Sequence, residues 1–182
     1  MFGRIVVAVD GTLTSNRGLA TAAGLAKDQG ATLHIVHVVD ELVMVPMVEG
    51  AGMLGDDYIA TVVESLRESG RKILSSAEKA AAKGGATVDT ELLSSRGQPV
   101  ASVILAYAKR VRADLIVLGT HGRRGLRRAV MGSDAEGVLR EATVPVLLVR
   151  TPERAHARKR AARARPAAAV SRKKPSKAPA AR

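Results

Sequence analysis

The feature that most constrains this chain is the alternation of short β-branched runs with stretches of helical periodicity. Residues 4–9 read Arg-Ile-Val-Val-Ala-Val. A run that is apolar at every position after the first suits a strand buried on both faces, as in a parallel sheet. Strand-like runs recur at 32–39, 86–93, 114–118 and 146–149. Between them, residues 14–29 place Leu19, Ala22, Ala23 and Ala26 on one helical face, and Gly30 supplies a stop. Residues 58–83 turn Ile59, Val62, Val63, Leu66, Ile73 and Leu74 inward, and Gly84-Gly85 ends that helix. Pro99 opens the next one, to about Arg112, at a first turn where its missing N–H costs little. Ser133 begins a last helix to about Glu141. The order βαβαβαβαβ predicts an α/β fold with parallel strands and right-handed crossovers. Residues 40–57, with Pro46, Gly50, Gly52, Gly55 and three Met residues, read as a mobile loop.

Charge divides the chain in two. The 182 residues carry 29 Lys+Arg and 17 Asp+Glu, a net of +12. Eleven of the basic residues and one acidic residue lie in 151–182, so that segment alone carries +10. The first 150 residues keep 18 basic against 16 acidic, a net of +2. A domain at 1–150 and a basic tail at 151–182 are therefore expected. The tail is mostly Ala, Arg, Lys and Pro, and Val170 is its one apolar side chain larger than Ala outside the prolines. Such a segment cannot bury enough surface to offset its ordering entropy, so it is expected to be disordered. Its cations suit non-specific contact with nucleic acid or another polyanion through 154–182. A solubilising tail is the plainer alternative, and nothing in it encodes base readout.

Composition excludes several classes. With no Cys, thiol catalysis, disulfide scaffolds and Cys-based zinc sites are ruled out. With no Trp, one Phe and two Tyr, a base-stacking platform is not expected. No apolar run approaches membrane-span length, and the N-terminus lacks the regions of a signal peptide, so a cytoplasmic protein is the expectation.

The stretch after the fourth strand carries the most chemical information. It reads Gly119-Thr120-His121-Gly122-Arg123-Arg124-Gly125-Leu126-Arg127-Arg128-Ala129-Val130-Met131-Gly132-Ser133. Its glycines lie at the carboxyl end of a parallel strand, where open α/β sheets bind ligands. Gly132-Ser133 opens a helix, whose free N–H groups and dipole attract phosphate. Arg123, Arg124, Arg127 and Arg128 add four positive charges between them, suiting a polyphosphate as well as a solvated surface.

The spacing Gly, two residues, Gly, nine residues, Gly-Ser resembles the nucleotide-binding signature of the ATP-binding branch of the universal stress protein family. The opening Ile5-Val-Val-Ala-Val-Asp10-Gly-Thr and the closing Val144-Pro-Val-Leu-Leu-Val149-Arg resemble that family too. The likeness covers about residues 1–150 and leaves out the tail. It implies a Rossmann-like, adenine nucleotide alpha hydrolase-like sheet of five parallel strands in the order 3-2-1-4-5, with helices on both faces. It also implies an ATP-binding regulatory stress-response protein working through nucleotide-dependent conformation and a homodimer formed through the edge strand 146–149. By the same resemblance Asp10 bonds adenine or ribose, and Ala8, Val9 and Val39 line the base pocket. Gly119, Thr120, His121, Gly122, Arg123, Gly132 and Ser133 hold ribose and phosphates. Asp134 lies where the family pattern has a small or apolar residue. Its carboxylate either repels ATP or helps hold Mg²⁺ against the phosphates, as Mg²⁺ commonly joins one carboxylate to substrate phosphates.

Plainer readings stand beside these. Ser133 with Glu136 fits a capping box. Asp10 fits a strand-end turn, and His121 a surface loop. His34 and His37, three apart, face opposite sides of their strand and read as sheet-edge or strand-end residues, not a metal pair. Catalysis finds little support. There is no Gly-x-Ser-x-Gly elbow, no Walker loop and no His-Glu-x-x-His. Residues 10–15 lack the Ser-Gly-Gly-x-Asp-Ser pattern of related ATP pyrophosphatases. No catalytic residue is assigned, and slow ATP hydrolysis near His121 or Asp134 is the open alternative.

Overall fold

A computed structural model describes residues 1–40, 56–120 and 131–150. The described residues fall within one compact unit, Met1–Arg150. Five parallel strands are β1 (Arg4–Ala8), β2 (Thr32–Val39), β3 (Thr87–Ser94), β4 (Leu115–Gly119) and β5 (Val146–Val149). Four helices are α1 (Leu13–Gln29), α2 (Asp56–Lys83), α3 (Val100–Arg110) and α4 (Ser133–Glu141). The sheet order is β3-β2-β1-β4-β5, the order the resemblance implies, and all four pairings are parallel.

The buried runs explain why the strands sit as they do. Ile5, Val7, Leu33, Ile35, Leu115 and Val117 face α1 and α2, joined by Leu19, Ala22, Ala26, Leu74 and Ala77. Val6, Val36, Ile116 and Leu118 face α3 and α4, joined by Ala101, Ile104, Tyr107 and Val138. Alternate residues of one strand thus serve two cores, so no position along it can be polar without cost.

Local chemistry fixes the ends of α1. The Thr12 side chain accepts the Ser15 N–H at 3.2 Å, an N-cap bond of the kind worth about 1 kcal/mol. At the other end Gly30 adopts φ 63°, and Ala31 N–H reaches Ala26 O at 2.8 Å. A residue with a Cβ would be strained there, so the glycine stop is conformational. At the start of β4, the Asp114 carboxylate accepts from Gly3 N and Arg4 N, both at 2.8 Å. Those two backbone donors hold its carboxyl below the usual range and tie β4 to the beginning of β1.

The two histidines of β2 differ from the sequence expectation. β2 is an interior strand, and His34 and His37 are both buried. They do face opposite sides. His34 Nδ1 lies 3.3 Å from the Tyr107 hydroxyl of α3 and 3.3 Å from Asp89, its register partner on β3. His37 lies on the α2 side, against Gly70. Each finds a polar partner inside the fold, so an edge was not needed to satisfy it.

Tyr107 gives a testable pH dependence. Burial, and then the charges of Glu91 and Asp89, push its hydroxyl up to about 12. The folded state therefore holds this proton more tightly than the unfolded chain, whose tyrosines ionise near about 10. The resulting stabilisation is complete below pH 10 and is lost as pH rises from 10 towards 12. Chemical denaturation across that window should show a falling stability, and Tyr107→Phe should remove part of the fall. An identical slope in the variant would refute the assignment.

Candidate functional site

The described candidate residues gather at the carboxyl end of the sheet, around the central pair β1 and β4. Beyond β1, Val9 N–H bonds Val36 O at 2.8 Å. The chain then turns through Asp10-Gly11-Thr12. Asp10 Oδ1 accepts the Thr12 N–H at 2.9 Å, and Asp10 N–H donates to Ser15 Oγ at 3.0 Å. Gly11 has φ 80°, a conformation that side chains with a Cβ rarely adopt. The plain reading of Asp10 as a turn former is thus correct, and the turn also fixes where its carboxylate sits.

Gly119 closes β4 directly against α1. A Cβ built there would stand 3.1 Å from Ser15 N and 3.2 Å from Thr14 C, both backbone atoms. The glycine is needed for this close approach. Thr120 follows, only 4% exposed. Its N–H bonds Val149 O at 3.0 Å, and its carbonyl takes the Gly132 N–H at 3.0 Å. Asp10, Ser15, Gly119, Thr120 and Gly132 therefore form one continuous set of contacts, although they come from three separate parts of the sequence.

Gly132 is the N-cap of α4 and has no side chain to satisfy the first-turn N–H groups. Ser133 is the first residue of the helix and not its cap, which corrects the capping-box expectation. The Glu136 N–H bonds the Gly132 carbonyl at 2.9 Å as the helix begins. The Ser133 hydroxyl instead lies 3.5 Å from the Asp134 carboxylate. Both residues are exposed. A hydroxyl beside a carboxylate at a helix start is a hard-oxygen pair. Oxygen ligands of this kind are the ones Mg²⁺ takes, so Ser133 and Asp134 are described residues that could hold it.

The remaining site residues take varied positions. Ala8 ends β1 and is partly exposed. Val9 and Val39 are buried at 3% and 4% exposure, so they shape the floor from within more than they offer open surface. The Val39 carbonyl accepts the Ser95 N–H at 2.9 Å. His121, Gly122 and Arg123 lie outside the described residues. A cleft of about 420 Å³ brings Asp40, next to Val39, to Ser133 and Asp134 and to the start of α3. It does not include Ala8, Val9, Asp10 or Gly119. Its charged lining among the described residues is Asp40, Asp134, Arg140 and Glu141.

Two contributors escaped the sequence reading. Ser15 caps the Asp10 N–H, and its signal was the Thr12-x-x-Ser15 spacing of a helix start. His37 donates to the Val9 carbonyl, with Nδ1 and oxygen 2.6 Å apart. Its signal was one of two histidines inside a largely apolar strand.

This winding, a five-stranded parallel sheet whose strand order reverses between β1 and β4, is that of an adenine nucleotide alpha hydrolase-like α/β fold. The model of the universal stress protein family matches residues 1–150. The chain belongs to the universal stress protein family. Universal stress protein YxiE of Bacillus subtilis is 38% identical over 152 residues, covering 82% of this chain and 100% of that one. A universal stress protein structure from Burkholderia pseudomallei is 31% identical, covers 80% and 94% of the two chains, and has a TM-score of 0.62. The structure of a universal stress protein from Archaeoglobus fulgidus in complex with dAMP is 29% identical. It covers 81% and 97% of the two chains, with a TM-score of 0.55.

Proposed function

We propose that this chain binds an adenine nucleotide, ATP with Mg²⁺, at the carboxyl end of β1 and β4. On this reading it acts as a regulatory stress-response factor through the conformation the nucleotide selects. The observation that carries the reading is the continuous set of contacts from the Asp10 turn through Gly119 and Thr120 to Gly132. It places a turn suited to ribose beside a helix start suited to phosphate. The A. fulgidus relative, held with dAMP, supports the same ligand class. Asp10 would meet the adenine or ribose, with Ala8, Val9 and Val39 around the base. Gly119, Thr120, Gly132 and Ser133, with His121, Gly122 and Arg123 of the loop, would hold the ribose and phosphates. Among the described residues the adjoining cleft carries the carboxylates of Asp40, Asp134 and Glu141, oxygen ligands of the kind Mg²⁺ takes. Mg²⁺ would be held between Asp134 and the phosphates, and Ser133 would orient the carboxylate.

β5, Val146–Val149, ends the sheet and pairs with β4 alone among the described residues; a homodimer would form through this edge, since an edge strand invites pairing. The tail carries a second reading of its own. A net charge of +10 in 151–182 favours non-specific contact with nucleic acid or another polyanion.

Calorimetric titration with Mg-ATP tests the main reading. The full chain should give heat of binding, and a chain cut after Arg150 should keep it. Gly122→Val and Gly132→Val should lose it. Absence of heat from the full chain overturns the nucleotide reading, and heat with dAMP alone restricts it to monophosphates.

A further inference from the structure

The β1–β2 ladder stops at Ala8 opposite Val36. One residue later the carbonyl of Val9 is taken by the imidazole of His37, with Nδ1 and oxygen 2.6 Å apart. A carbonyl oxygen can only accept, so Nδ1 carries the proton and is the donor. The bond is buried, with His37 5% exposed and Val9 3% exposed. On the Val9 N–H side the partner is Val36 O. Both backbone groups of Val9 are thus held by β2, one through backbone and one through a side chain.

The next residue is Asp10. Its N–H is held by Ser15 and its carboxylate by the Thr12 N–H. The position of the Asp10 turn follows from where Val9 ends, and Val9 ends where the imidazole holds it. The helix α2 leaves room for this ring. A Cβ at Gly70 would stand 2.8 Å from His37 Cδ2 and 2.7 Å from Leu92 Cδ1. Gly70 is what lets α2 lie across the imidazole without displacing it.

We propose that His37 is a positioning residue for the nucleotide site: through Nδ1–H to the Val9 carbonyl it fixes the Asp10 turn that receives the adenine or ribose. This rests on the adenine-nucleotide reading above. His37 touches no ligand itself, and its effect passes through Val9.

The geometry of the two ring nitrogens supplies the test. An asparagine amide reaches the position of Nδ1, whereas a glutamine amide reaches that of Nε2. His37→Asn, His37→Gln and His37→Leu would each be titrated with Mg-ATP in the full chain, with thermal melting recorded alongside. Amide exchange of Val9, Asp10 and Thr12 would be followed without nucleotide. His37→Leu and His37→Gln should bind roughly fivefold to tenfold more weakly, the worth of one buried hydrogen bond. They should also exchange faster at Asp10 and Thr12. His37→Asn should stay within about twofold of the wild type in both readouts. Should Asn and Gln weaken binding equally, in step with their melting temperatures, His37 is a packing residue and the proposal falls. Gly70→Ala keeps the imidazole but crowds it, and should weaken binding in the same direction. Wild-type affinity in both His37→Leu and Gly70→Ala also overturns the proposal. A wild type that gives no heat overturns the nucleotide reading instead. Unchanged exchange at Asp10 and Thr12 in His37→Leu then overturns the clamp as well.

Discussion

Gly137→Ala should destabilise the body by about 1–2 kcal/mol, whereas Gly24→Ala, the same change in another helix, should stabilise it. Both glycines lie inside helices, and alanine there is favoured by roughly 0.5–1 kcal/mol. Gly24 is exposed on α1, and a Cβ built there meets nothing within 4 Å. Only the propensity gain remains. Gly137 is buried where α4 crosses α3, and its Cβ would stand 2.8 Å from the Cβ of Ala101. A Cβ cannot swing away as the tip of a long side chain can, so one helix must move. Overpacking of this kind costs about 1–3 kcal/mol, which outweighs the gain. Urea midpoints of the two variants should shift in opposite directions. A common upward shift would mean that α3 and α4 do not meet there.

Gly119→Val is expected to cost about 3 kcal/mol. At about 2–4 °C per kcal/mol for a chain of this size, the melting temperature falls by roughly 6–12 °C. The obstacle is the backbone of Thr14 and Ser15, at 3.1–3.2 Å from a Cβ. That backbone is the first turn of α1, and its Ser15 hydroxyl holds the Asp10 N–H. A strand-end change in β4 should therefore disturb the turn after β1, and loss of exchange protection at Asp10 should accompany the lower melting point. Gly18→Ala is the control, since its Cβ would make only ordinary contacts at 3.7–3.8 Å. A melting point for Gly119→Val equal to the wild type would show that α1 does not press on β4.

Much of this architecture is legible in the residues because the two-sided burial of a parallel sheet leaves a plain mark. β2, β5 and α4 have the bounds expected of them, and Gly30 ends α1 where expected. The observed β3 and β4 each run one residue later than expected, to Ser94 and Gly119. Strand ends are set by pairing across the sheet, which no local run encodes. The same limit applies to the site. Asp10, Gly119 and Gly132 were visible as turn and loop signals. That Gly119 makes room for α1 depends on residues more than a hundred positions away. His34 and His37 looked like edge residues because a buried imidazole is costly until its partner is known. Tyr107 and Val9 are those partners, and neither lies near in sequence. Ser133-x-x-Glu136 has the letters of a capping box, but the helix begins one residue too early for Ser133 to act as its cap.

The double hold on Thr120 has a consequence for how such a chain can change. Its carbonyl receives Gly132 N–H, and its own N–H is bound to β5. Thr120 and Gly132, the described residues on either side of this connection, are thus pinned to each other by one backbone hydrogen bond. The entropy of closing such a ring grows only with the logarithm of its length, about 0.6 kcal/mol for each doubling. By closure entropy alone, an insertion between Thr120 and Gly132 should therefore lower the melting point little.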